Sequence, residues 1–216
     1  MNSDFARQKM VDQQVRAWDV FDPDVLDVLS KIPREQFVPF GYEALAFADT
    51  SIPIGHGQSM LTPTLEGRIL QALDLDGTEH VLEIGAGNGF LTACLSRLAL
   101  HVTSLEIFDD LRKRAGENLA DVGIDNVELL SMDATLELPH KKFDAIAVSG
   151  SIRSFDPRLV AALTLGGRLF VVVGDAPTMD ARVVRKTGDN DWESESLFET
   201  ELTPLVNAPL PTAFSF

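Results

Sequence analysis

The chain has a single cysteine, Cys94, among its 216 residues. One thiol cannot close an intrachain disulfide or build a cysteine zinc site, which suits a reducing compartment. Basic side chains are also scarce: 18 Lys and Arg stand against 33 Asp and Glu, for a formal net charge of -15. That average field repels a phosphate backbone, so nucleic acid is not expected as a partner. No stretch of 18 apolar residues occurs, and the opening MNSDFARQKM has no apolar run behind a basic end. Neither a membrane partner nor a secretory leader is therefore expected, and the expected location is cytoplasmic. His80, His101 and His140 lack paired ligand spacing, so no metal is expected. His56 is a lone loop histidine, a type more often solvated than functional.

What is present describes a soluble globular protein, with 45% hydrophobic and 24% charged residues. This length suits one domain that buries about 70% of the surface its unfolded chain exposes. The stretch Ala6–Trp18 places Met10, Val11, Gln14, Val15 and Trp18 on one helical stripe. In DPDVLDVLSKIP, Asp22 caps a helix, Pro23 occupies its first turn, and Pro33 lies just past its end. Residues Phe37–Pro63 contain proline and glycine without a sustained period and read as an ordered, loop-rich segment.

From Thr64 onward, helical and strand patterns alternate: TLEGRILQAL helix, HVLEIG strand, FLTACLSRLAL helix, HVTSLE strand, FDDLRKRAGENLADVG helix, then VELLSMD and FDAIAVSG strands. A helix over PRLVAALTLGG and a strand over RLFVVVG come next. The alternation predicts an α/β, Rossmann-like, doubly wound and mostly parallel sheet. Two candidate strands flank Gly188–Asp191 and predict a C-terminal antiparallel hairpin at the sheet edge.

Directly after the first of these strands comes GxGxG, at Gly85, Gly87 and Gly89. The dinucleotide fingerprint needs a glycine where this chain has Phe90, and there is no Lys-Ser/Thr pair after the glycines to make a Walker loop. The three glycines serve either a tight strand-to-helix turn or a ligand. At the end of the next strand, Glu106 is either an exposed charge or an acceptor for two ribose hydroxyls. After the third, Asp133 can accept from an adenine amino group while the next amide, that of Ala134, donates to the ring. An acidic lining also suits a cofactor that carries a sulfonium cation and no phosphate.

Glycines, Glu and Asp at three successive strand ends resemble class I S-adenosylmethionine-dependent methyltransferases. The segments ARQKMV, IPREQFVP, IPIGHGQSMLTP, VLEIGAGNGF, GIDNVELLSMDA, FDAIAVSGS and LTLGGRLFVVVG, in this order and spacing, resemble the protein-L-isoaspartate O-methyltransferase family over about Ala6–Gly174. The resemblance implies one methyltransferase domain over residues 1–216: N-terminal helices and a substrate-side loop over 1–63, and the cofactor-binding core over 64–216. It implies S-adenosyl-L-methionine as cofactor, held by Glu83, Gly85, Ala86, Gly87, Asn88, Gly89, Phe90, Glu106, Ile107, Asp133, Ala134 and Ser149. It also implies methyl transfer to the free carboxylate of isoaspartyl residues in damaged proteins, a repair step.

This chain departs from the family pattern Gly-Gln-Thr-Ile-Ser-x-Pro, reading Gly57, Gln58, Ser59, Met60, Leu61, Thr62, Pro63. Leu61 replaces the family's active-site serine, leaving Ser59 and Thr62 as candidate catalytic hydroxyls. Thr62 can equally cap the helix beginning near Thr64. The substitution keeps two alternatives open: a methyltransferase with another carboxylate or small-molecule acceptor, and a non-catalytic cofactor-binding module whose tail PLVNAPLPTAFSF docks a partner or closes over its own sheet. Arg153 or Arg158 is a candidate carboxylate clamp or an ordinary surface charge.

Overall fold

Apolar runs with strand character, each succeeded by a run of helical period, oblige the chain to cover strands with helices. In the computed structural model, which describes residues 3–209, they form one seven-stranded sheet. Its order is β5 (Val127–Ser131), β4 (His101–Glu106), β3 (His80–Ile84), β6 (Phe143–Ile152), β7 (Leu163–Asp175), β8 (Thr178–Lys186) and β9 (Trp192–Thr200). The first five are mutually parallel, and β8 and β9 continue as the expected antiparallel hairpin. Strand order runs outward from β3 to β5 and then reverses to β6, so the switch point lies between β3 and β6, where the crevice of a doubly wound sheet opens.

Side-chain alternation splits the core in two. Val81, Val102, Ala145 and Phe170 face a large cluster shared with α3 (Pro63–Leu73), α4 (Phe90–Leu98) and α5 (Asp109–Asp121). Leu82, Ile146, Leu169 and Val184 face a smaller cluster closed by α6 (Pro157–Ala161). Gly67 lets α3 lie against the N-terminal segment: a Cβ there would stand 2.8 Å from Val15 Cγ1.

The N-terminal helices form α1 (Ser3–Met10) and α2 (Pro23–Lys31), and Asp22 caps α2 by accepting from the amides of Asp24 and Val25. The single stripe expected over Ala6–Trp18 does not persist. After Met10 the chain makes a π turn over Val11–Val15 and a 3-10 turn over Arg16–Trp18. The wider turn rotates the residues beyond it, so Met10, Val11 and Val15 are buried while Trp18 is half exposed.

Two further expectations change. The segment expected to be loop contains a separate two-stranded sheet, β1 (Ile52–Gly55) and β2 (Gln58–Met60), paired Ile52 to Met60 and Pro53 to Ser59. The helix expected over Pro157–Gly167 stops at Ala161, and Leu163 already pairs with Phe143. Gly166 at φ 80° and Gly167, where a Cβ would meet the Asp144 carbonyl at 3.0 Å, form an irregularity that no helix accommodates.

After β9 the chain returns over the sheet. The Ser151 amide donates to Thr203 O at 3.0 Å and the Leu205 amide donates to Ser151 O at 2.9 Å. Pro204–Pro209 of the tail weighed as a docking segment therefore sits beside its own sheet, and its remainder, 210–216, lies outside the described residues.

Candidate functional site

At the carboxyl ends of β3, β4 and β5 a partly open pocket is lined by residues from all three strand ends and from the β1–β2 hairpin. Gly85 and Gly87 form its floor, and glycine is required at Gly85: φ is 97°, and a Cβ would lie 2.3 Å from Ser149 Oγ. Ser149, from the end of β6, donates to the Gly85 carbonyl at 2.6 Å and to the Ile84 carbonyl at 2.9 Å. That hydroxyl pins the glycine turn across the switch point.

Glu106 ends β4 with both oxygens accounted for. Oε2 accepts from the Gly87 amide at 2.8 Å and Oε1 from the Phe108 amide at 3.0 Å. A carboxylate has about four lone-pair positions, so each oxygen retains capacity toward the pocket. Asp133, beyond β5, accepts at Oδ1 from the Thr135 amide and hydroxyl, at 2.9 and 2.6 Å, and at Oδ2 from Asn207 Nδ2 at 2.8 Å. Partial burial pushes its carboxyl up, but the bonds from Thr135 and Asn207 together outweigh burial and hold it below its usual range. Ile107, Met132, Ala134 and Leu205 supply apolar walls between the two acids. Among the described residues no Lys, Arg or His lines the pocket, so it favours a cationic ligand over a phosphate.

Expected residues brought together here are Gly85, Gly87, Glu106, Ile107, Asp133, Ala134 and Ser149, with Ser59 at one side. Ala86 lines a smaller adjoining cavity together with Ser59, Gly85 and Ser149. Asn88 borders that adjoining cavity as well, and the other three expected cofactor residues stand elsewhere. Glu83 is fully buried on the opposite side of β3 from Leu82 and Ile84; its Oε2 accepts 2.5 Å bonds from Thr92 and Ser104, and its Oε1 has no partner. Burial pushes its carboxyl up to about 7. Asn88 is a buried tie, donating to the Phe37 carbonyl at 2.9 Å. Gly89 opens α4 at φ 88°, pressed within 3.2 Å of Ala115 were a Cβ present. Phe90 is a core ring, edge-on to Phe37 and beneath Arg34.

Of the two candidate hydroxyls, Thr62 is the N-cap of α3, accepting from the Leu65 amide at 3.3 Å. Ser59 borders the pocket, the adjoining cavity and a wide groove of about 640 Å³ beyond them. Its hydroxyl makes no hydrogen bond with another described residue. Leu61 is 8% exposed and presents an apolar wall to that groove. Arg153 pairs with Asp175 at 2.8 Å on the groove, while Arg158 is occupied by Asp156 and by the carbonyls of Leu136 and Thr135.

Sequence reasoning passed over Arg34, although it sits in IPREQFVP. Its guanidinium is fully buried, bonds Glu66, and donates to Ala46 O at 2.9 Å and Leu61 O at 2.7 Å. It thereby fixes the chain entering the groove to α3. Burial pushes the Glu66 carboxyl up to about 8 despite the facing guanidinium. Removing one member of such a pair costs about 3 to 5 kcal/mol. Asn207 was also unforeseen, because nothing local in the sequence links it to Asp133.

Residues 6–209 match the family model described as Protein-L-isoaspartate(D-aspartate) O-methyltransferase. The chain is 35% identical over 209 residues to Protein-L-isoaspartate O-methyltransferase 2 of Pelobacter propionicus, covering 96% of this chain and 93% of that one. It is 38% identical over 203 residues to Protein-L-isoaspartate O-methyltransferase 1 of Rhodopseudomonas palustris, covering 93% and 82%. A Plasmodium falciparum structure, described as a protein-L-isoaspartate O-methyltransferase in complex with S-adenosyl-L-homocysteine, has a TM-score of 0.79 at 21% identity, covering 92% of this chain and 97% of that one. That likeness concerns the fold.

Proposed function

This chain belongs to the protein-L-isoaspartate(D-aspartate) O-methyltransferase family, and from that premise we propose that it methylates the free carboxylate of isoaspartyl residues in proteins, using S-adenosyl-L-methionine. The observation that carries the proposal is the meeting of two spaces at Ser59 and Ser149: a cation-free pocket with two strand-end acids, and an open groove. Bound in the pocket, the cofactor supplies a methyl group on a sulfonium cation.

Glu106, already oriented by two amides, is the acceptor for ribose hydroxyls. Asp133 accepts from the adenine amino group, with the Ala134 amide as ring donor. Gly85 gives the close backbone approach that a side chain would deny. Ser59, whose hydroxyl bonds no other described residue, orients the acceptor carboxylate where the family uses the serine that Leu61 replaces. An acceptor carboxylate is ionised near neutral pH, so no general base is needed. Rate then comes from alignment, which contributes up to about 7 to 11 kcal/mol in favourable intramolecular cases.

Incubation with methyl-labelled cofactor and an isoaspartyl peptide tests the proposal: a base-labile methyl ester is expected. Tight cofactor binding without ester on any isoaspartyl peptide would refute it. One observation favours a second reading, in which another carboxylate or a small molecule is the acceptor: the apolar wall that Leu61 presents to the groove. Esterification of such an acceptor, together with no gain of isoaspartyl activity in Leu61→Ser, would establish that reading.

A further inference from the structure

The β1–β2 hairpin is a ladder of its own, unattached to the main sheet, yet its Ile54, Gln58 and Ser59 form one wall of the pocket. Ile54 also leans on the floor: a Cβ at Gly87 would stand 3.1 Å from Ile54 Cδ1. The hairpin tip passes through Gly55, His56 and Gly57 at φ of 108°, 53° and 71°. His56 is the only one of the three with a side chain, and an L residue is disfavoured there because its Cβ crowds the next carbonyl oxygen. A histidine at that position needs compensation from outside the turn.

The opposite wall supplies it. The imidazole of His56 stacks on Phe108, with centroids 4.0 Å apart and planes 11° from parallel. Its Nε2 lies 3.0 Å from both carboxylate oxygens of Asp110, in the first turn of α5. That bond holds the Asp110 carboxyl below its usual range. Phe108, in turn, donates its amide to Glu106. A continuous series of contacts thus joins the hairpin tip to the strand-end acid on the far side of the pocket.

We infer that His56 is a positioning residue that clamps the β1–β2 hairpin to the corner between β4 and α5, closing the cofactor pocket between those two walls. The clamp rests on the assignment of that pocket to the cofactor. It acts on retention of the cofactor through the pocket wall, so its effect is read in the cofactor dissociation rate.

The experiment tracks S-adenosyl-L-homocysteine leaving the full chain, in wild type, His56→Gly, Asp110→Ala and Asp110→Asn. Glycine relieves the left-handed backbone at position 56. A role confined to folding therefore predicts an unchanged or higher melting temperature together with unchanged ligand retention. The clamp predicts the same melting behaviour with dissociation about threefold to seventyfold faster, the range for a ring stack plus an exposed polar pair. Asp110→Ala, which leaves the stack in place, should show a smaller acceleration of up to about fivefold, and Asp110→Asn, which keeps an acceptor oxygen, should recover part of the loss. Equal dissociation from all four proteins overturns the clamp while leaving the pocket assignment intact. A wild-type chain that binds no S-adenosyl-L-homocysteine overturns the pocket assignment and the clamp with it.

Discussion

The pocket and the groove meet at Ser59 and Ser149 but are built differently. In the pocket every oxygen of Glu106 and Asp133 already holds a donor from the protein, and the floor tolerates no added atom at Gly85. In the groove the Ser59 hydroxyl bonds no other described residue, Leu61 lines one wall, and the space is about 640 Å³. One region is fixed before anything binds; the other is open to acceptors of different shape. A cofactor that is always the same molecule suits the first, and isoaspartyl sites embedded in many sequences suit the second.

Filling the floor breaks the comparison most severely. Gly85→Ala sets a methyl group into Ser149 at a positive φ, a strain of about 3 kcal/mol or more. That energy lowers the stability of the free chain, and calorimetry should also find S-adenosyl-L-homocysteine affinity reduced, because the floor must shift to accept the methyl group. Wild-type affinity in this variant would mean that the pocket is not fixed.

Glu83→Gln probes what lies beneath the floor. Burial raises this carboxyl from 4.5 to about 7, so between those values the folded chain keeps a proton that the unfolded chain has released. Stability from this group is then full below about pH 4.5 and falls as pH rises toward 7, by about 3 kcal/mol in all. The glutamine variant lacks this dependence. In urea unfolding it should gain on wild type between pH 5 and pH 8, and a pH-independent difference would contradict a buried, protonated Glu83.

Glu106→Ala removes a charged acceptor and should weaken cofactor binding by about 2 kcal/mol, roughly thirtyfold, with acceptor KM unaffected. Ser59→Ala sharpens the contrast from the other side. Its expected cost is about 1 kcal/mol, a fivefold rise in acceptor KM for an isoaspartyl peptide at unchanged cofactor affinity. Initial-rate kinetics with each substrate varied in turn separate the two, and equal effects on both substrates would erase the distinction between the regions.

Most of the sheet was legible because its physics is local. Val81–Ile84 and His101–Glu106 are short runs of strand character between turn signals, and strands alternating with helices form a sheet covered by helices on both faces. The three strand ends carrying Gly85, Glu106 and Asp133 are consequences of that topology. Glu83 could have been placed as well, since strand alternation sets it opposite Leu82 and Ile84, facing α4 and Thr92. The hairpin β1–β2 could not, because Ile52 and Ile54 alternate with Pro53 and Gly55 over only four residues and β2 has only three, too few to set a strand apart from a Pro- and Gly-containing loop. Arg34 and Asn207 were equally hidden. Their partners, Glu66 and Asp133, are far along the chain and meet them only once the tertiary structure exists.

The return of Leu202–Asn207 across β6 bears on how the protein is made. Ile54 and Gly85 leave the ribosome more than a hundred residues before Leu205 and Asn207, and all four border or brace the same pocket. A nascent chain that has already laid down β3 through β7 still lacks one wall and one of the donors that seat Asp133. The pocket is therefore incomplete until residues 202–207 have been made and have returned across β6.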